Sequence, residues 1–340
     1  MFDGGAATDS IEGAHHRRMS NPVSKQVSVA VLLPCRNEEA SIGTVVRDFR
    51  RALPSATVYV YDNASSDRTA EIARAAGAIV RYAPEPGKGN VLRRMFAEID
   101  ATVYVLADGD DTYDAAMAPM LVKRLLNEDL DMVVGTRVES EAAHEAYRRG
   151  HRLGNRLLTR SVHVLFGNGS QDMLSGYRVF SRRYVKSFPA TSRGFETETE
   201  MTVHALELSL PFAEVPTEYK DRPAGSTSKL RTIPDGFRIL KFILMLCKDY
   251  KPLRFFGSLS LLCGLLGLAS RLLPGASAQV WSVPTGIALA GLMFLFLLAG
   301  IILDSLGRSR REVKRMLYLA VPRVGLPPAG RIHGLLDLTA

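Results

Sequence analysis

Residues 272–303 carry no charged side chain. That run constrains the chain more than any other feature, because a membrane-crossing helix needs about 20 apolar residues at about 1.5 Å rise each. Residues 280–303 satisfy this. Residues 255–273 form a second, shorter candidate, apolar up to Arg271, whose stem can reach back to the headgroups. PGASAQ between them reads as a turn. The alternative is a helical hairpin buried in a soluble domain. Arg238, Lys241, Lys248, Lys251 and Arg254 precede the pair, and Arg308, Arg310, Arg311, Lys314 and Arg315 follow it, with only Arg271 between. By the positive-inside rule both termini and the large preceding domain are cytoplasmic, in a multi-pass protein of the cell (inner) membrane. Residues 305–340 are then a basic cytoplasmic tail. Residues 233–254 are expected to form a juxtamembrane helix: Asp235, Arg238, Lys241, Lys248 and Asp249 share one arc, and Phe237, Leu240, Phe242, Leu244 and Leu246 occupy the rest. Such a helix either lies on the bilayer or packs as a core helix.

The charge follows the same division. The chain has 43 Lys/Arg against 35 Asp/Glu. Residues 1–219 hold 26 and 29 of these and residues 220–340 hold 17 and 6, so the basicity is confined to the membrane-proximal third. A general nucleic-acid binder does not have that distribution. Cys35, Cys247 and Cys263 are spaced for neither metal nor redox chemistry and read as small hydrophobes. The histidines show no zinc-type pairing. Residues 1–25 are polar, lack an apolar h-region and are expected to be a disordered leader.

Residues 26–232 alternate strand-like and helix-like segments: strands at 27–34, 57–62, 79–82, 102–108 and 132–136, helices at 41–53, 67–76, 90–99 and 115–127. This βαβα order predicts an α/β domain with a mostly parallel sheet, whose ligands bind beyond the carboxyl ends of the strands. The chemistry-bearing motifs stand at those ends. Asp108-Gly109-Asp110-Asp111 follows the strand VYVLA, and Asp108 and Asp110, two apart on a turn, suit Mg²⁺ or Mn²⁺. An EF-hand is excluded, since Tyr113 and Pro119 stand where glycine and glutamate would be needed. Pro34, Arg36, Asn37 and Glu38 end the first strand, and Asp62, Asn63 and Ser65 end the second, where a carboxylate can accept from a base or a ribose. Asp67 reads equally as the cap of the next helix. Gly87-Lys88-Gly89-Asn90 opens a helix: Lys88 brings a positive charge and Gly89 and Asn90 bring backbone N–H groups, a diphosphate contact without the P-loop signature.

PCRNEE (34–39), DNASSD (62–67), GKGN (87–90) and DGD (108–110) resemble the nucleotide-sugar half of the family 2 glycosyltransferases, which have the GT-A fold. Gly135-Thr136-Arg137, the stretch DMLSGYRVF (172–180) and the stretch RPAGSTSKL (222–230) resemble the polyprenyl-phosphate branch, which is similar to dolichyl-phosphate mannose synthase and to bacterial two-span polyprenyl-phosphate sugar synthases. The resemblance implies a membrane-bound inverting transferase that moves a sugar from a UDP- or GDP-sugar to polyprenyl phosphate. It implies Asp108 and Asp110 as metal ligands and Asp110, Asp172, Arg222 and Lys229 as catalytic. Arg137, Ser175, Arg178, Arg222 and Lys229 are then expected around the acceptor phosphate, where guanidinium groups grip bidentately. A phosphate monoester has a second pKa of about 6, so its nucleophilic oxygen needs no general base at neutral pH. The partners implied are nucleotide sugar, polyprenyl phosphate and bilayer, not nucleic acid; a homo-oligomer is compatible with all of them.

Rival readings stay open at this level. With a hydroxyl acceptor, Asp172 is the base. A processive synthase would show Q-x-x-R-W, but the single tryptophan, Trp281, lies in the apolar hairpin. A non-catalytic nucleotide-sugar-binding scaffold would tolerate loss of the metal turn. Glu196, Glu198 and Glu200 alternate and are either a polar face near the acceptor or surface charges opening a helix. Arg148, Arg149, Arg152 and Asn155 are either phosphate ligands or a solvated face.

Overall fold

The computed structural model describes residues 27–139, 160, 162, 164, 171–194, 196–220, 241–242, 244–272 and 276–323, with side chains 271–282 left out. The expected leader, the 148–155 basic group, Arg222, Lys229 and residues 324–340 lie outside the described residues.

Strand β1 (Val29–Cys35) alternates its side chains between two covered faces, which is why it reads as a continuous apolar run. Val31, Leu33 and Cys35 meet α1 (Ile42–Ala52) and α4 (Ala118–Asn127) through Val46, Phe49 and Leu121. Ala30 and Leu32 belong to the opposite cluster, built by α3 (Lys88–Glu98), α5 (Arg182–Ser187) and α6 (Thr197–Leu208). The other strands are β2 (Thr57–Asp62), β3 (Ile79–Tyr82), β4 (Val103–Leu106), β5 (Met132–Glu139), β6 (Arg178–Ser181) and β7 (Phe212–Tyr219); α2 (Thr69–Ala75) links β2 to β3. They form one sheet in the order β3-β2-β1-β4-β6-β5-β7. It is mostly parallel, as expected, but β6 runs antiparallel to both β4 and β5. Leu106 and Val134 both pair with Arg178. The start of β6 therefore shares one edge with the carboxyl ends of β1, β2, β4, β5 and β7.

Two apolar helices follow, α7 (Pro252–Leu272) and α8 (Ala276–Ala320). They pack antiparallel, with Ser260 donating to the Met293 carbonyl at 2.8 Å and Gly300 against Phe256. Leu261, Leu265, Leu268, Ile287, Phe294 and Leu298 stay exposed, so this is not the buried hairpin of a soluble domain. Pro252–Ser270 and Val283–Ala320 are candidate membrane spans by length and composition.

Two boundary expectations change. First, α8 does not stop near 303: the residues read as a tail continue the helix to Ala320 and dock on the α/β domain. Second, within the expected interfacial helix, the helical residues 241–242 and 244–250 turn part of their apolar side to the protein. Leu246 is buried with Met173 and Val203, and Phe242 packs on the same cluster, while Leu244 and Met245 remain exposed. The three cysteines are unpaired thiols, as read from their spacing.

Candidate active site

The loops after β1 and β2 lock together. The Asn37 N–H donates to Ser65 Oγ at 2.9 Å, Asn37 Oδ1 accepts from Ser66 N at 2.8 Å, and Glu38 N donates to Thr69 Oγ1 at 2.9 Å. Asp62 accepts from Ser65 N. Asp67 Oδ1 accepts from Thr69 N at 3.0 Å from the position before the α2 cap, which is Arg68; its hydrogen bonds outweigh the upward push of burial and hold its carboxyl below the usual range. Pro34 pairs with Tyr61 within the sheet, and Arg36 begins the loop. Asn37, Ala64 and Asp111, each just past a strand end, have φ of 53°, 55° and 62°. Left-handed backbone at non-glycine residues costs on the order of 1 kcal/mol each and collects where a fold shapes a ligand site.

Asn63, expected at the nucleotide, spends its carboxamide on the chain itself. Its amide donates to the carbonyls of Ala83 and Glu85 at 2.9 and 2.7 Å, and its Oδ1 accepts from Gly87 N at 2.9 Å. The carboxamide is consumed in holding the loop that presents Lys88. The GKGN glycines are likewise explained by backbone packing. A Cβ on Gly87 (φ 121°) would strike the Arg193 carbonyl, and one on Gly89 the Ser192 carbonyl. Gly89 N donates to Arg193 O, so this N–H is not turned to a phosphate. Asn90 donates to Pro86 O and accepts from Arg93. Glu200, one of the glutamates weighed as surface charge, is buried and accepts from Thr191 N and Ser192 N, both at 2.9 Å. Arg93 binds the Ala190 carbonyl at 2.7 Å. The 190–193 loop is thus pinned against the start of α3.

Those pins fix Lys88. Its ammonium lies 2.5 Å from Asp108 Oδ1 and 2.5 Å from Glu198 Oε1. Burial alone would depress its pKa, but the two carboxylates overcome that and hold it charged. Glu198 is 4% exposed, and its Oε2 is a buried oxygen with no hydrogen-bond partner. Asp110 is buried, with Oδ1 accepting from Thr112 Oγ1 at 2.6 Å. Asp108 is crowded by Gly176, where a Cβ would meet its Oδ2. Cys35 beneath the turn has its thiol pushed up by burial and by Glu38 and Asp108, and stays neutral. Among the described residues no cluster of three His, Cys, Asp or Glu gathers. The protein offers two hard carboxylates, which fits Mg²⁺ or Mn²⁺ completing its shell with phosphates and water.

On the far side of the edge, Arg137 grips Asp172 with two parallel bonds of 2.8 Å, and its own N–H adds a third at 3.2 Å. Burial would raise the Asp172 carboxyl, but the Arg137 bonds and charge hold it below the usual range. In this structure the carboxylate is thus occupied by Arg137. Two residues expected at the acceptor phosphate are buried here. Arg178 is 0% exposed and donates to Ser175 O, Met173 O and Thr202 Oγ1 at 2.8–2.9 Å. Ser175 is buried and donates to Gly135 O at 2.5 Å. Both brace the 172–176 loop from below. Tyr113, which the sequence did not single out as a site residue, accepts from Gly176 N at 2.8 Å and packs tilted on Tyr177 and edge-on to Tyr219, tying the 108–111 turn to that loop.

Comparison with known proteins is consistent with this geometry. Residues 30–188 match the model of glycosyl transferase family 2. The glycosyltransferase AglJ of Haloferax volcanii is 34% identical over 297 residues, 85% of this chain and 97% of that protein. A dolichyl-phosphate hexose transferase of the same organism is 32% identical over 65% of this chain and 94% of its own length. The solved glucosyl-3-phosphoglycerate synthase of Mycobacterium tuberculosis superposes with a TM-score of 0.55 at 24% identity, over 65% of this chain and 80% of that one, a likeness of fold. With a strand-end carboxylate turn on a mostly parallel sheet, a matching family model and a relative paralleled almost end to end, the chain is a glycosyltransferase and belongs to family 2.

Proposed function

We propose that this transferase moves a sugar from a nucleotide sugar to polyprenyl phosphate at the membrane surface, with inversion. The observation that carries the reading is covalent continuity: the sheet edge bearing Asp108 and Asp110 belongs to a chain whose two long apolar helices keep their leucines exposed. The relative named as a dolichyl-phosphate hexose transferase supports a lipid-phosphate acceptor. The flanking cations support cytoplasmic placement of the transferase domain and both termini, in a cell membrane.

In this mechanism a phosphate oxygen of the acceptor attacks the anomeric carbon. The bond from that carbon to the nucleotide diphosphate breaks, and the diphosphate leaves with the electron pair. The nucleophile is already ionised, so no residue takes a proton. The clamped state of Asp172 suits this route better than transfer to a hydroxyl. Asp108 and Asp110 would hold Mg²⁺ or Mn²⁺, which supplies charge neutralisation at the leaving diphosphate; the M. tuberculosis synthase has been solved with Mn²⁺ and UDP. Lys88 adds a positive charge on the same side. Pro34, Arg36, Asn37, Glu38, Asp62 and Ser65 form the nucleoside end. Asp172 orients Arg137 toward the acceptor, and Arg222 and Lys229 complete the grip on its phosphate.

The test uses purified protein in lipid nanodiscs with polyprenyl phosphate, Mg²⁺ and a panel of radiolabelled UDP- and GDP-sugars. One labelled glycolipid is expected, and none across the panel refutes the reading. Asp110→Ala should abolish transfer with unchanged melting; activity near wild type would remove the metal role.

A further inference from the structure

The transferase domain and the second apolar helix meet again at a point remote from the site. Past residue 303, α8 continues for more than four turns without interruption. Lys314 and Tyr318, one helical turn apart, face the domain. Lys314 Nζ lies 2.7 Å from Glu207 Oε2 on α6, and its ammonium sits over the Tyr250 ring at 5.5 Å. Tyr318 donates to Asp131 Oδ2 at 2.6 Å, its ring lies 4.9 Å from the Arg183 guanidinium, and it packs on the α3–α5–α6 cluster.

Asp131 is an unusual anchor. It is 0% exposed and immediately precedes β5. It accepts from Arg183 Nε and Nη2 at 2.5 and 2.9 Å and from Ser181 Oγ at 2.6 Å, while Ser181 N donates to its carbonyl at 3.0 Å. The latch therefore closes on the junction where β5 begins and β6 ends. The opposite ends of the same two strands carry Arg137 and Arg178. β6 pairs with Met132–Val134 of β5 and β7 pairs with β5 along its whole length, so the sheet links the latched end to the end carrying Arg137.

We propose that residues 304–320 form a strut, latched by Lys314 and Tyr318, that fixes the height and angle of the transferase edge relative to the bilayer, so that a membrane-embedded acceptor phosphate meets the donor in line. The proposal rests on the membrane-acceptor reading above. Lys314 and Tyr318 are positioning residues in it and touch no substrate. Leu246 and Phe242 attach the domain on the α7 side, the strut attaches it on the α8 side, and two attachments are the minimum that defines an orientation.

The experiment compares two acceptors in the same nanodisc preparation: long-chain polyprenyl phosphate in the bilayer and a water-soluble short-chain isoprenyl phosphate. Inserting two alanines after Arg308 turns the latch face by about 200° and lengthens the helix by about 3 Å. The expected result is a loss of about tenfold or more on the embedded acceptor, with the soluble acceptor within about twofold of wild type, as misplacement rather than damage to the site predicts. Should the insertion misfold, Lys314→Met/Tyr318→Leu undocks the helix at constant length and reads the same ratio. Equal losses on both acceptors, or none on either, overturn the strut. A wild-type protein that glycosylates neither acceptor refutes the acceptor reading instead, and the strut falls with it.

Discussion

Arg178→Met separates a brace from an acceptor ligand. In the structure the guanidinium is enclosed and gives hydrogen bonds to the carbonyls of Ser175 and Met173 and to Thr202 Oγ1. The methionine fills much of the volume but donates nothing. Two buried carbonyls then lose a charged donor, each at about 1–3 kcal/mol. Thr202 is less affected, because its hydroxyl also donates to the Glu198 carbonyl. Relief from burying a cation offsets part of the loss, since burial alone already pulls the Arg178 pKa down. The balance is about 2–4 kcal/mol of destabilisation, and at about 2–4 °C per kcal/mol for a domain of this size the melting temperature should fall by about 5–15 °C. The assay is thermal melting in detergent, paired with acceptor saturation kinetics below the melting temperature of the variant. Lower stability with an acceptor KM near wild type is the expected pattern. If the variant melted with wild type while its acceptor KM rose tenfold or more, Arg178 would be a phosphate ligand and the brace would be wrong.

The Lys88 bridge predicts a specific non-additivity. Lys88→Met should cut transfer by about 100-fold, as loss of a charge facing the leaving group does. It should also lower the melting temperature, because Glu198 is left as a buried unpaired anion. Adding Glu198→Gln should restore melting without restoring transfer; recovery of both, or of neither, would contradict the bridge. His204 gives a pH prediction. Burial, helped by the Lys314 charge, depresses its pKa from 6.5 to about 3. The folded state therefore binds fewer protons than the unfolded state between those values, and stability falls as pH drops through that window. At pH 5 the cost is about 2 kcal/mol relative to pH 7. His204→Leu should shrink the pH 7-to-5 loss by that amount in chemical unfolding, whatever it does at pH 7; an unchanged loss would remove His204 as its source.

Much of the site was legible because the motifs are local. A buried parallel strand is a run of apolar residues, and the polar cluster that ends it lies at the ligand edge whatever the helices do. The carboxylate turn, PCRNEE and DNASSD were placed on that ground alone. What failed was long-range. Asn63 has four hydrogen-bonding capacities, and three of them are spent on a loop some twenty residues on. Arg178 looks like any phosphate-seeking arginine until β6 turns its side chain inward. Glu198 and Glu200 read from sequence either as a polar face near the acceptor or as surface charges, and only the packing of α6, buried nearly all round, encloses them. The docking of Tyr318 on Asp131 spans 187 residues and has no local signature.

Among the enclosed carboxylates, the kind of partner separates scaffold from exchangeable machinery. Asp67 and Glu200 accept from backbone N–H groups, and Asp172 and Asp131 are held in guanidinium forks. Those donors are fixed in direction, and displacing them would cost the loop or the strand end they define. Asp108 and Glu198 instead share an ammonium. A lysine is a compact charge on a rotatable four-carbon stem, so it can exchange one anionic partner for another with little rearrangement. On the proposed function, a diphosphate bound beside Asp108 with a divalent cation would bring both the anion that Lys88 could turn to and the cation that Asp108 would then need, while Glu198 would still pair with the ammonium. The bridge is thus a place on the edge where the charge pattern can be rewritten without moving the backbone, and it lies beside the carboxylates proposed to hold the metal.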